Sequence, residues 1–297
     1  MDYKKIIRSQ NMRFKILKLL NFVPDSFMIK VQYMIKTGRK LNLKNPRRYT
    51  EKLQWYKLYY RNPIMTKCVD KYFVREYIKS KKLDYILNEL YNVYDNVEEI
   101  NFDELPNSFV LKTTNGSGTN ILCNNKKELD IDLAKKELNF YLKRETKNAG
   151  REWAYNDVRP IIICEKYIKP KSESDLKDYK FMCFNGKVEY IVVDCDRHTN
   201  HKRNIYDTTW KNLNIKTDCD SIDHEIKKPS NLKKMISIAE KLSSDFPHVR
   251  VDLYDVDGKI IFGELTFYPW SGYVNYYPDT FDFELGDKFV LEEYKGE

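Results

Sequence analysis

No stretch of this chain approaches the eighteen or so uninterrupted apolar residues that a membrane-spanning helix requires, so no helical span is expected. The N-terminus lacks the apolar core and small-residue cleavage site of a secretory leader, and none is predicted. Glycine is sparse, with 10 residues in 297; no Gly-Lys-Ser/Thr closes a Walker A loop, and no GxGxxG fingerprint occurs. Histidine numbers only 4, and no Ser-His-Asp or Cys-His constellation supports a protein nucleophile. The 6 cysteines (68, 123, 164, 183, 195 and 219) follow no metal-ligand spacing, the nearest two lying twelve residues apart. Cys123 and Cys164 sit in apolar runs and read as core thiols, which fits a reducing cytoplasm. No internal repeat is visible. What is present is a chain 42% hydrophobic, long enough to bury a substantial core in one or two domains.

Charge is distributed unevenly. Residues 1–61 hold 16 Lys/Arg against 3 Asp/Glu, a net of +13, whereas the remainder holds 36 against 41, a net of −5. In the basic stretch Phe14, Leu17 and Leu20 share one helical face, with Arg13, Lys15 and Lys18 interleaved. Two readings stay open. Residues 1–40 could lie on the inner face of the cell membrane, each basic residue contributing about 1 kcal/mol near anionic headgroups. Equally, the segment could be a helical pair packed on the body with a solvated basic face. No recognition motif accompanies the charge, so no nucleic-acid partner is expected.

The most informative segment is Arg250–Gly272, RVDLYDVDGKIIFGELTFYPWSG. It reads as two strands around an Asp257-Gly258 turn, and pairing across that turn brings Asp252 beside Glu264, with Arg250 and Thr266 at the same edge. Two carboxylates and a guanidinium on one sheet face suit a Mg²⁺ site that handles phosphoryl oxygens, although acids on a solvated hairpin face are common. Upstream, the apolar Phe109-Val110-Leu111 leads to Lys112 and then to Thr113-Thr114-Asn115-Gly116-Ser117-Gly118-Thr119-Asn120, followed by Ile121-Leu122-Cys123. That is strand, small-residue loop, strand. Gly116 and Gly118 would let backbone N–H groups approach phosphate oxygens, and Lys112 adds a point charge; an ordinary hairpin turn is the plain alternative. In Asp194–Asp207, the residues His198, His201 and Cys195 fit no compact zinc module, and Arg197, His201, Lys202 and Arg203 read better as a cationic patch for phosphates or an acidic substrate, or as a solvated loop.

Together and in this order, these segments resemble the ATP-grasp superfamily. The resemblance places Asp70-Lys71 on the family's early Asp-Lys, with Lys71 at the α-phosphate, and Lys112 on the second lysine before the flexible loop of Asn115, Gly116, Ser117 and Gly118. Ile161–Ile168 resembles the hinge strand, which implies Glu165 and Tyr167 at the adenine. Asp178, with Lys180 in the same strand, matches the acid that binds ribose hydroxyls. Arg250 falls on the catalytic arginine, and Asp252 and Glu264 on the metal-binding carboxylates; Thr266 replaces the usual asparagine as a weaker neutral donor. RVD, then E-x-T, then proline followed by glycine is similar to the wording of D-alanine–D-alanine ligase. PRRYTEKLQW (46–55), YYRNP (59–63), HKRNIYD (201–207) and GELTFYP (263–269) narrow the likeness to the TupA-like ATP-grasp group, named for a protein of teichuronopeptide synthesis, whose members tend to sit in bacterial capsule and cell-surface polysaccharide pathways.

The resemblance implies an α+β chain: an ATP-grasp fold of two α+β lobes clasping ATP, preceded by a basic, mostly helical N-terminal region. The divisions expected are 1–62 for that region, 63–170 for the lobe with the glycine-rich loop and hinge strand, and 171–297 for the lobe with the metal site. Helices are expected at 64–83, about 129–143 and about 231–243, and a second hairpin around Asn185-Gly186. Segment 144–160, with Trp153, Tyr155 and Arg159, reads as a loop near the site. The implied activity is an ATP-dependent carboxylate–amine ligase working through an acyl phosphate, with ATP and two Mg²⁺ ions, attaching an amine or amino acid to a uronic-acid carboxylate on a small molecule or glycan. Arg250 and Lys112 carry the catalytic roles, and Arg197, His201, Arg203, Ser271 and Gly272 are candidates for substrate contact. Phosphoryl transfer to a glycan hydroxyl and a non-catalytic glycan- or membrane-binding role remain open alternatives.

Overall fold

The computed structural model describes residues 12, 16–17, 19–116, 118–144, 150–169, 176–195 and 201–292. The chain is α+β, with two antiparallel sheets. The first has the order β1-β4-β2-β3, made of β1 (Leu90–Tyr94), β2 (Phe109–Thr113), β3 (Asn120–Cys123) and β4 (Ile162–Lys166). The second has the order β7-β6-β5-β8-β9, made of β5 (Asp178–Phe184), β6 (Lys187–Cys195), β7 (Lys202–Asp207), β8 (His248–Val256) and β9 (Lys259–Thr266). Asn185-Gly186 and Asp257-Gly258 both turn with positive φ at each residue, the conformation a two-residue hairpin demands.

Alternation along these strands creates the two cores. Phe109 and Leu111 of β2, Ile121 of β3, and Ile162 and Cys164 of β4 face helix α5 (Ile131–Leu142), which contributes Ala134 and Leu138. Asp130 starts that helix by accepting a bond from the Leu133 amide at 2.9 Å. In the second sheet Phe181, Val249, Val251, Leu253 and Leu265 point into the main core. There they meet α6 (Leu232–Ser243), whose Leu232, Met235, Ile238, Ala239 and Leu242 form one helical stripe.

Helices α1 (Asp25–Thr37) and α2 (Tyr49–Tyr59) precede the sheets, with Pro24 immediately before the first and Pro46 in the stretch between them. Glu51 caps α2 from inside, its Oε2 accepting the amides of Arg47 and Arg48 at 3.0 and 3.1 Å. Tyr49, Leu53 and Tyr56 are buried in the main core, and α2 also packs on α7 (Thr280–Lys288) through Asp282, whose carboxylate takes the Thr50 amide at 3.0 Å and hydroxyl at 2.8 Å. The helix expected over 64–83 is instead two short ones, α3 (Ile64–Val69) and α4 (Val74–Ser80). Asp70 breaks it: its backbone is extended, and its Oδ1 accepts the amides of Tyr72 and Phe73 at 2.7 and 2.9 Å. Among the described residues no helix is long and apolar enough to cross a membrane.

Candidate active site

The site-facing side of the second sheet is assembled by register. Across β8 and β9, Asp252 pairs with Glu264 and Arg250 with Thr266; across β5 and β8, Lys180 pairs with Asp252; and Asp194 of β6 pairs with Asp178 on one side and Arg203 on the other. Period two then puts all eight polar side chains on one face, opposite the core. Arg250 is the hub. Its Nε and Nη2 donate to the two oxygens of Asp252, each at 2.7 Å, while Nη2 also reaches Glu264 Oε1 at 2.8 Å and Thr266 Oγ1 at 3.0 Å. Thr266 in turn donates to Glu264 Oε1 at 2.8 Å. Burial opposes the Arg250 charge, but Asp252 and Glu264 outweigh it and raise its pKa further. Asp252 is driven up to about 7 by burial, against the pull of Arg250 and Lys180. Glu264 borders open cavity space yet is surrounded by protein; burial raises it, and Arg250, Thr266 and Lys180 together hold it low, at about 2.

A second ionic cluster adjoins the first. Lys180 forms an ion pair with Asp178 and lies 3.4 Å from Asp194 and 3.6 Å from Asp252. Arg203 donates to Asp194 at 2.7 Å and to Asp218 at 3.1 Å, and His201 Nε2 is 3.1 Å from Asp194. Burial would raise Asp194, but Lys180, Arg203 and His201 hold it well below the usual carboxylate range. Trp270 lies between the two guanidiniums, 4.5 Å from Arg203 and 5.4 Å from Arg250.

These groups border a cavity of about 620 Å³, which also contacts Asp70, Lys71, Gly116, Arg144, Gly150, Glu152, Tyr155 and Ser271. A smaller space of about 60 Å³ adjoins it, sharing Lys71, Val74, Phe262 and Gly263, and is walled by Leu87, Ile163, Ile168 and Tyr254 with Lys112 and Glu165 at its polar side. Glu165 accepts from Lys112 at 2.8 Å and Arg75 at 3.2 Å. Lys71 donates to the carbonyls of Thr113, at 3.0 Å, and Gly116, so it supports the glycine loop from beneath; burial lowers its pKa to about 8.

The structure thus brings Lys71, Gly116, Lys180, His201, Arg203, Arg250, Glu264, Thr266 and Ser271 to one cavity, and Lys112 and Glu165 to its neighbour. Other expected residues stand elsewhere. Asp178 is buried against Lys180 rather than lining the space, because the lysine two residues on shares its face. Asp252 lies behind Arg250. Asn115 turns away, donating to the carbonyls of Tyr141 at 3.0 Å and Arg144 at 3.4 Å. Tyr167 falls past the end of β4, and Ile168 takes the wall position. Gly118 is exposed at the loop tip, with nothing within 4 Å of where a Cβ would be. Gly272 is packed on α2, where a Cβ would come within 2.9 Å of Leu53 Cβ. Ser117 and Arg197, like His198, lie outside the described residues.

Two contributors came without any local sequence signal. Trp270, Ser271 and Gly272 form a run of left-handed residues, with φ of 50°, 55° and 67°. Gln54 and Lys57 of α2 hold that run: Gln54 donates to the carbonyls of Ser271 and Gly272 at 3.1 and 3.0 Å, and Lys57 to Ser271 at 2.9 Å. Lys57 is fully buried, and burial brings its pKa down to about 8.

The family model described as TupA-like ATPgrasp matches residues 51–290 of this chain. The chain belongs to the TupA-like ATP-grasp family. Among solved structures, similarity extends to D-alanine–D-alanine ligase from Bacillus anthracis complexed with ATP (18% identity over 67% of this chain and 53% of that one, TM-score 0.39). It extends also to D-alanine–D-alanine ligase from Helicobacter pylori (16%, 82% and 68%, 0.42) and L-amino acid ligase from Bacillus licheniformis (13%, 71% and 44%, 0.41). This TupA-like chain spans about half the length of the Bacillus anthracis enzyme. No curated protein matches it.

Proposed function

We propose that this TupA-like protein is an ATP-dependent carboxylate–amine ligase. The observation that carries the reading is the convergence on one cavity of Arg250, Glu264 and Thr266 from the second sheet with Lys71 and with Gly116 of the glycine loop, beside a slot of mixed polarity edged by Lys112 and Glu165. Lys71, Lys180, Arg203 and Arg250 give the cavity positive charges that suit phosphates, and the adjoining slot would take one edge of the base. Glu264 and Thr266 border the cavity and offer hard oxygens that fit Mg²⁺, which typically takes one or two carboxylates together with nucleotide phosphates; Asp252, both of whose oxygens are held by Arg250, would join them once that guanidinium turned to a phosphate. Asp252, Glu264 and Thr266 would hold two Mg²⁺ ions, whose chemistry is to offset phosphoryl charge.

In this reading Arg250 steadies the acyl phosphate and the oxyanion formed when an amine attacks it, and Lys112 holds phosphate. The γ-phosphoryl group leaves ADP and bonds to the carboxylate oxygen of the substrate; the neutral amine nitrogen then forms the C–N bond and gives up a proton to water as phosphate leaves with the C–O electron pair. A uronic-acid carboxylate on a small molecule or glycan and an amino-acid amine are the proposed substrates, in capsule or cell-surface polysaccharide synthesis. Residues 1–40 form a peripheral contact at the cytoplasmic face of the membrane; the exposure of Leu19, Phe22, Phe27 and Ile35 beside a strongly basic sequence supports this.

The test is a thermal shift with ATP and Mg²⁺, wild type beside Glu264→Gln. At a hundred times the dissociation constant, bound nucleotide adds about 2.7 kcal/mol. A shift that requires Mg²⁺ and weakens in the variant supports the reading; no shift with any nucleotide sinks it.

A further inference from the structure

The wall of the main cavity formed by Gly150–Tyr155 and the 269–272 turn carries a carboxylate that the nucleotide chemistry does not use. Glu152 lines the cavity, and its Oε1 alone is engaged: Ser271 Oγ donates to it, and Lys57 Nζ stands 3.6 Å away. Oε2 has no hydrogen-bond partner among the described residues. The acids near the sheet face have their basic partners on that face, Asp194 and Asp218 sharing Arg203, Asp252 and Glu264 sharing Arg250, and Asp178 pairing with Lys180. Gly150 makes room for this arrangement, since a Cβ there would sit 2.9 Å from Glu152 Oε1 and 3.2 Å from Ser271 Oγ. Tyr155 and Tyr268 line the same cavity, whereas Trp270 is already taken up by the Arg203 and Arg250 guanidiniums.

We infer that Glu152 is the binding site for the amino group of the second substrate, with Lys57 and Ser271 as the residues that position its carboxylate. A primary ammonium fits the free Oε2 and the aromatic walls, whereas the Arg250 and Lys71 side of the cavity repels it and attracts phosphate and carboxylate. The inference rests on the ligase reading above. Lys57 is well placed to fix the carboxylate without competing for Oε2, because its ammonium is also tied to the carbonyls of Gly150 at 3.1 Å and Ser271 at 2.9 Å.

Hydroxylamine separates the two claims. It is small and largely uncharged at neutral pH, and it captures an acyl phosphate as a hydroxamate without an ammonium subsite. The full-length protein is incubated with ATP, Mg²⁺ and D-glucuronic acid, and hydroxamate formation is compared with amide formation across the twenty common amino acids. In Glu152→Gln the amide-to-hydroxamate ratio should fall about ten- to hundredfold, as expected for loss of one charge-assisted contact. Gly150→Ala, which pushes the carboxylate aside, should lower the ratio in the same direction, and Glu152→Asp should recover part of it. If both products fall together in folded Glu152→Gln and Gly150→Ala proteins, or the ratio stays at the wild-type value, the amine subsite is refuted while the ligase reading stands. If wild type forms neither product, the uronic-acid ligase reading fails and the subsite falls with it.

Discussion

Lowering the pH from 8 to 5 should cost this fold about 2 kcal/mol through one residue, His248. The ring is completely buried between Tyr49, Phe184 and Phe289, with centroids 5.2, 4.7 and 5.0 Å away. Its Nδ1 lies 2.8 Å from the Cys183 carbonyl, which can only accept, so Nδ1 carries the proton; Nε2, 2.9 Å from the Tyr49 hydroxyl, then accepts from it. Burial, helped by the nearby Arg250 charge, depresses the pKa from 6.5 to about 3 against the opposing effect of the Cys183 carbonyl. A base whose pKa falls on folding is protonated first in the unfolded chain. The stability it contributes is therefore complete above about pH 6.5 and is lost progressively as pH falls toward 3. At pH 5 the unfolded state gains RT ln(1 + 10^1.5), or about 2 kcal/mol, since one pKa unit is worth about 1.4. Urea unfolding at pH 8 and pH 5, wild type beside His248→Asn, isolates the effect, because carboxylates that titrate in both proteins cancel in the difference. Wild type should lose about 2 kcal/mol more than the variant. Equal losses would refute the buried neutral imidazole.

Two further predictions concern stability. Gly272→Ala places a Cβ in the left-handed region and against Leu53, which should cost about 2–4 kcal/mol in chemical unfolding and lower the melting temperature accordingly. Asp282→Ala strips the partner from the Thr50 amide and hydroxyl and leaves Arg48 without a second carboxylate; the expected loss is about 3 kcal/mol, measured in the same way, with Asp282→Asn intermediate.

The elements that were legible in the sequence are those specified locally. Asn185-Gly186 and Asp257-Gly258 demand tight hairpins, and once those turns exist, period-two alternation puts Arg250, Asp252, Glu264 and Thr266 on one face. The stripe from Leu232 to Leu242 is readable for the same reason. What stayed hidden depends on partners far away in the chain. Lys180 reads as a cavity lysine from its strand, but its place among Asp178, Asp194 and Asp252, supplied by three strands, shows only in the fold. Asp70 sits within a helical pattern, but its side chain caps the amides that follow and splits the helix. Trp270 and Ser271 have no intrinsic preference for positive φ; only the bonds from Gln54 and Lys57, more than two hundred residues earlier, make that conformation tenable. Glu152 lies in a polar segment without periodicity and acquires meaning only through Ser271 and Lys57.

Helix α2 has a consequence for how such a protein can be recombined. Its side chains reach the 269–272 turn, the His248 end of β8 and the Asp282 end of α7, so the turn that carries Trp270 and Ser271 into the cavity wall is held by a piece of chain that comes before either sheet begins. A shortened protein starting at Ile64 would keep every strand and every residue that lines the cavity, yet lose the bonds that fix the 269–272 turn. A chimera that exchanges the second sheet between relatives must carry the matching α2 with it: as a unit of inheritance, residues 49–59 belong with residues 248–289, although the chain writes them at opposite ends.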